Sequence, residues 1–241
     1  MLFVEQKNKK EMKQFPLTNK VNCIIYLQRI IATAEMCLDK LKYYNQQMKE
    51  ILDNYSENDK IPHSIYSEVN DKTANVMCYL LNILGDSQKT SISYFKYRQQ
   101  VERLCKKEIE GIAYTPFPEQ IQELAQDFNK MRNWQNHIPE SLLTSEIEMI
   151  KEGKSLPHTQ NPIELNKHLY VSVDFMKDLY NSNLGFYKAA RKLVQYSKKD
   201  YSLLIGESVK ISRIYHEKPV TTDSLEFVKL SSKVQGIKGD T

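Results

Sequence analysis

The feature that most constrains this chain is an apolar repeat that begins near residue 24. Ile24, Leu27, Ile31, Ala34, Leu38, Leu41, Met48 and Leu52 recur at alternating three- and four-residue steps, with Asn45 at the one polar position of the series. Only an α-helix returns side chains to one face at that interval, so the repeat predicts a single long helix with a narrow buried seam. The seam is compatible with a bundle helix or with a dimerising coil, and Asn45 suits either.

Glycine is scarce, seven residues in 241, and the eight prolines fall between periodic stretches rather than inside them. That distribution favours long helices over a turn-rich β fold. Thr18 is positioned to cap the first helix. A polar connection at 54–63 leads to a second helix over about 64–84, with Val69, Val76, Met77, Leu80 and Leu84 inside and Gly85 at its end. A third is predicted over about 87–110, carrying Tyr94, Tyr97, Val101 and Leu104 and stopping at Gly111. The Thr115-Pro116-Phe117-Pro118 turn precedes a fourth helix, whose stripe reads Ile121, Leu124, Ala125, Phe128 and Met131. Pro139 breaks that helix, and Leu142, Leu143, Ile147, Met149 and Ile150 restart it. The loop at 153–162 is the best internal boundary. A long helix over about 163–200, with an interruption near 181–185, and shorter ones over 201–216 and 222–234 complete an all-α chain. The expected organisation is a polar lead-in at 1–17, a helical bundle at 18–215, and a short helix with a frayed tail at 216–241.

The charged fraction of 27% and hydrophobic fraction of 41% are those of a soluble globular protein, and the formal charge of +4 permits a nucleic-acid partner without demanding one. No apolar run is read as a membrane span or signal peptide, which makes the chain cytoplasmic in expectation. Cys23, Cys37, Cys78 and Cys105 are far apart in sequence and form no CxxC pair, so they are expected to be reduced thiols, with no metal site.

The densest chemistry lies at Met131-Arg132-Asn133-Trp134-Gln135-Asn136-His137-Ile138-Pro139-Glu140, which contains the chain's one Trp. On a wheel with Phe128 at zero, Arg132 falls near ~40°, Asn136 ~80°, Asn133 ~140° and His137 ~180°, one polar side next to the apolar stripe. Trp134, at ~240°, points elsewhere and is expected to pack in a core or interface rather than to stack on a base. A histidine titrates near neutrality and suits proton transfer, whereas a fixed guanidinium binds two phosphoryl oxygens at once.

The pattern Arg132-Asn133-x-x-x-His137 resembles the RNase motif of HEPN domains, in which an Arg and a polar residue precede a His by a few positions. The resemblance is sharp over about ten residues, and its setting in a helical chain agrees with the family's helical bundle. It implies metal-independent endoribonuclease activity without a cofactor, in a toxin or antiviral defence effector, leaving 2',3'-cyclic phosphate and 5'-hydroxyl ends. Arg132, His137 and Asn133 would be the catalytic residues, and the partners would be RNA, a second copy of the chain and an antitoxin protein. The alternative is a catalytically silent HEPN-like bundle that binds a nucleotide or a protein. In some family toxins a Tyr two residues after the His is modified by a partner enzyme; here Pro139 stands there, which removes that route of control. Asn136, Lys188, Arg191 and Lys192 are further candidates for contact with substrate. The basic run on the late helix, which extends to Lys198 and Lys199, reads equally as a solvated face.

Overall fold

A computed structural model describes residues 15–136, 140–154 and 167–217, and the side chains of 136 and 140–142 are not considered. The described residues form an all-α fold of six helices with one small ribbon: α1 (Lys20–Asp53), β1 (Lys60–Pro62), α2 (His63–Gly85), α3 (Tyr94–Lys106), α4 (Glu119–Asn136), α5 (Glu140–Lys151), β2 (Tyr170–Ser172) and α6 (Val173–Ile205).

The seam on α1 does organise the molecule. Asn19, rather than Thr18, caps the helix, its side chain accepting from the Asn22 N–H. Leu27, Ile31, Ala34, Leu38, Leu41 and Met48 are all buried within the chain's own bundle, so the seam is not a free dimerisation face. By length and composition α1 passes for a membrane span, an 18-residue window reaching a mean hydropathy of 1.3, which the sequence reading did not anticipate. The seam nevertheless faces other helices of the bundle.

α6 runs antiparallel to α1. Gln28 meets Tyr201 at 2.6 Å, Glu35 meets Lys198 at 2.6 Å, and Met48 meets Asn183 at 3.8 Å. α2 packs beside both, and α4 leans on α2. Beyond the left-handed cap at Gly206 the chain runs without helix to 217, where helical structure had been expected. Arg213 fastens this stretch to α1 through both carboxylate oxygens of Asp39, at 2.8 and 2.9 Å. The helix anticipated at 222–234 lies outside the described residues, as do most of the 153–162 loop and the Pro139 break.

Three further differences concern where elements begin and pair. α3 starts at Tyr94 instead of Ser87 because Asp86 accepts from the Gln88 N–H and Ser93 caps the helix from the Lys96 N–H, which holds the intervening segment in turns. α6 is continuous through Asn181 and Gly185. And β1 pairs antiparallel with β2, Ile61 opposite Val171, in segments read as connection and as helix.

The interior is divided. A large cluster between α1, α2, α3, α4 and α6 includes Leu27, Ile30, Leu80, Leu84, Tyr94, Phe128 and Leu193. A small one, Met48, Ile61, Val69, Val173 and Met176, lies under the ribbon. On each long helix one buried polar residue separates them: Asn45 on α1, Thr73 on α2 and Asn183 on α6. The Thr73 hydroxyl donates back to the Val69 carbonyl, whereas the Asn45 side-chain amide has no hydrogen-bond partner among the described residues.

Candidate functional site

α4 begins where the Pro118 carbonyl accepts from the Ile121 and Gln122 N–H groups. Its buried stripe is Ile121, Ala125 and Phe128, and the next position in that series is Arg132, with 8% exposure. The sequence reading placed Met131 in the stripe and Arg132 beside it. In the structure Met131 is 39% exposed and the arginine takes the inward position.

A guanidinium at a core position needs a carboxylate, because an uncompensated buried charge costs several kcal/mol, roughly 3–5 when one partner of such a pair is removed. Asp86, itself buried, supplies it: its Oδ2 accepts from Arg132 Nη2 at 3.2 Å. Nε donates to Asn82 Oδ1 at 3.3 Å and Nη1 to Asn133 Oδ1 at 3.2 Å. Three of the five N–H groups of the arginine thus donate to described residues, all in long bonds.

Gly85 makes the arrangement possible. A Cβ there would stand 2.6 Å from the carbonyl carbon and oxygen of Phe128, so the two helices approach this closely only where α2 has no side chain. The same contact lets Asn129 donate to the Gly85 carbonyl at 2.6 Å. Asp86 follows as the cap residue of α2 and so faces Arg132. Its carbonyl also accepts from the Ser93 hydroxyl, and the Tyr26 hydroxyl accepts from the Ser93 N–H at 3.0 Å. Burial pushes that tyrosine's pKa up to about 12, so it remains a neutral anchor.

Among the anticipated site residues, Arg132 and Asn133 are therefore brought together. His137 lies outside the described residues, and the side chain of Asn136 is likewise not described. Lys188, Arg191 and Lys192 are exposed on α6. Arg191 lines a small polar cavity with Glu35, Asp39 and Arg213, on the α1 side, while Lys188 and Lys192 lie one helical turn apart. Trp134 is 60% exposed, which removes the core half of the core-or-interface position expected of it. It borders an open groove of about 930 Å³ between α2, α4 and α6, walled by Met77, Leu81, Leu124, Phe128, Met131 and Phe186.

Asp86, Asn82 and Gly85 were not anticipated as parts of the site. The available signal was the arginine itself: the i, i+4, i+7, i+11 series through Ile121, Ala125, Phe128 and Arg132 calls for a buried acid elsewhere in the chain. Among the described residues no group of three or more His, Cys, Asp or Glu could hold a metal ion, and the four cysteines are free. No protein-family model, curated protein or solved structure matches the chain.

Proposed function

We propose that this chain is a metal-independent endoribonuclease of the HEPN type, acting in the cytoplasm as a toxin or defence effector. The observation that carries the reading is the bond from Arg132 to Asn133, 3.2 Å long, on a helix described as far as Asn136, the residue that precedes His137 in the sequence. The polar residue of the motif holds the guanidinium, which is the role the resemblance gives it, and Asp86 and Asn82 fix it from α2.

In the proposed reaction the ribose 2'-oxygen bonds to phosphorus and the bond from phosphorus to the 5'-oxygen breaks. The 2'-hydroxyl gives up a proton and the departing 5'-oxygen gains one. His137 moves one of these two protons; a second copy of the chain, facing the same phosphate, supplies the other. Negative charge grows on the non-bridging oxygens, where the two remaining Arg132 N–H groups would donate.

Purified protein incubated with RNA in EDTA is expected to give 2',3'-cyclic phosphate and 5'-hydroxyl ends. His137→Ala and Arg132→Ala are expected to abolish cleavage, and His137→Ala to relieve growth arrest on expression. Cleavage that requires metal or survives both substitutions overturns the proposal. One observation favours the alternative, a silent bundle that binds a nucleotide or protein: Asp86 already neutralises Arg132 in a buried pair. On that reading Arg132→Ala unfolds the chain, and the wild type leaves RNA intact.

A further inference from the structure

We infer that the groove beside Trp134 is a seat for an unpaired nucleobase, the base stacking on the indole while its backbone runs along the α6 lysines. The inference rests on the ribonuclease reading for the identity of its ligand and on the groove for everything else.

Trp134 offers a large, flat apolar surface to solvent at the edge of a groove whose walls are mostly aliphatic and aromatic. It stands on the same helix as Arg132, two residues on and so about 200° round the axis, and the residues that line the groove do not include Arg132, so the base seat and the guanidinium are separate contacts. The groove is also flanked by cations. On α4, Lys130 lines it, 3.5 Å from Asp127, the one carboxylate among its lining residues. On α6, Gly185 and Ala189 form the wall, and Lys188 and Lys192 each follow one of them by three residues, so both stand on the adjoining outer strip of that helix. No described carboxylate is paired with either lysine, and both are exposed. An aromatic platform with cations along one side is the combination that holds single-stranded nucleic acid: the ring takes the base and the lysines track the backbone. A duplex, with its bases stacked inward, presents nothing for the ring to hold.

Because Trp134 is the chain's one tryptophan, its fluorescence reports on the groove alone. The measurement uses the full-length His137→Ala variant, so that cleavage plays no part. A short oligoadenylate is titrated in, then a duplex containing the same strand, then a ribose-phosphate oligomer without bases. Quenching by the oligoadenylate and by neither of the others is expected. In filter binding, Trp134→Ala should weaken the oligoadenylate about five- to hundredfold, the range of one stacked base. The Lys188→Ala and Lys192→Ala double variant should lower the slope of log affinity against log salt by about 1.4. Equal quenching by duplex or by the baseless oligomer overturns the inference. So does emission that shifts with protein concentration and ignores RNA, which would mean that a second copy covers the groove. Quenching as expected in a wild type that cleaves nothing would sink the ribonuclease reading and leave this one standing; cleavage without quenching would do the reverse.

Discussion

Two buried arginines meet aspartates in this protein, and they are held differently. Arg98, on α3, gives Nη1 to both oxygens of Asp200 at 3.0 Å and Nη2 to the Thr115 carbonyl at 2.6 Å. Its guanidinium lies 3.8 Å from the centre of the Phe117 ring and 4.4 Å from that of Tyr114. Tyr94 donates to the same carboxylate at 2.8 Å. Arg132 has one contact with its carboxylate, at 3.2 Å, and two with side-chain amides. The first pair ties α3 and the 114–117 turn to α6 through short, directed bonds. The second orients a cation loosely, from three sides, at the helix that carries the motif. On the proposed reading the first arginine is structural and the second functional, a difference that burial does not mark.

Breaking the first pair should have the largest effect. Asp200→Ala leaves Arg98 uncompensated and should cost about 3–5 kcal/mol in urea unfolding, while RNA cleavage per folded molecule stays unchanged. A loss below 1 kcal/mol, on the order of a surface pair, would show that the pair is not structural. Next comes Gly85→Ala, which forces a methyl group against the α4 backbone. It should cost about 3 kcal/mol, the upper part of the usual range for overpacking, and reduce cleavage as well, since the Asp86 to Arg132 contact depends on that approach. Stability lost with cleavage intact would uncouple the helix contact from the site.

Asp86→Asn should have a smaller effect on stability, about 1.5–3 kcal/mol for one charged hydrogen bond, with a larger proportional loss of cleavage. The smallest effect concerns pH. Burial holds the Asp200 carboxyl above its ordinary 3.8, against the pull of Arg98 and the Tyr94 hydroxyl. The folded state therefore binds that proton more tightly than the unfolded chain, so between 3.8 and the raised value this group's contribution falls as pH rises and is level above it. The difference between wild-type and Asp200→Asn urea midpoints should show that slope; a contribution that rises with pH in the same window would contradict it.

The sequence revealed the helices wherever local periodicity was enough. The α1 seam, the α2 stripe and the start of α4 near Pro118 are set by side chains a few residues apart. The ribbon was hidden because it joins two three-residue strands more than a hundred positions apart, and neither Lys60-Ile61-Pro62 nor Tyr170-Val171-Ser172 is long enough to show alternation. That Arg132 and Asn133 stand together was legible in the sequence, but their placement was not. Nothing local to Arg132 says that its carboxylate comes from the end of α2, or that a glycine is there so that α4 can come close. Trp134 shows a related limit: the wheel gave its direction, but only the packing of α2, α4 and α6 shows that this direction opens onto a groove.

The central claim is that Arg132 is positioned by its buried partners in order to bind phosphate. Arg132→Lys tests it most directly, because lysine keeps the charge beside Asp86 but not the planar fork. Single-turnover RNA cleavage and urea unfolding would be measured on the same preparation. The account predicts a stability loss of about 1–3 kcal/mol, from the amide contacts that lysine cannot keep, and a loss of cleavage of about a hundredfold or more. Unchanged cleavage per folded molecule, alongside a large loss of stability, would make Arg132 a structural tie like Arg98 and contradict the account.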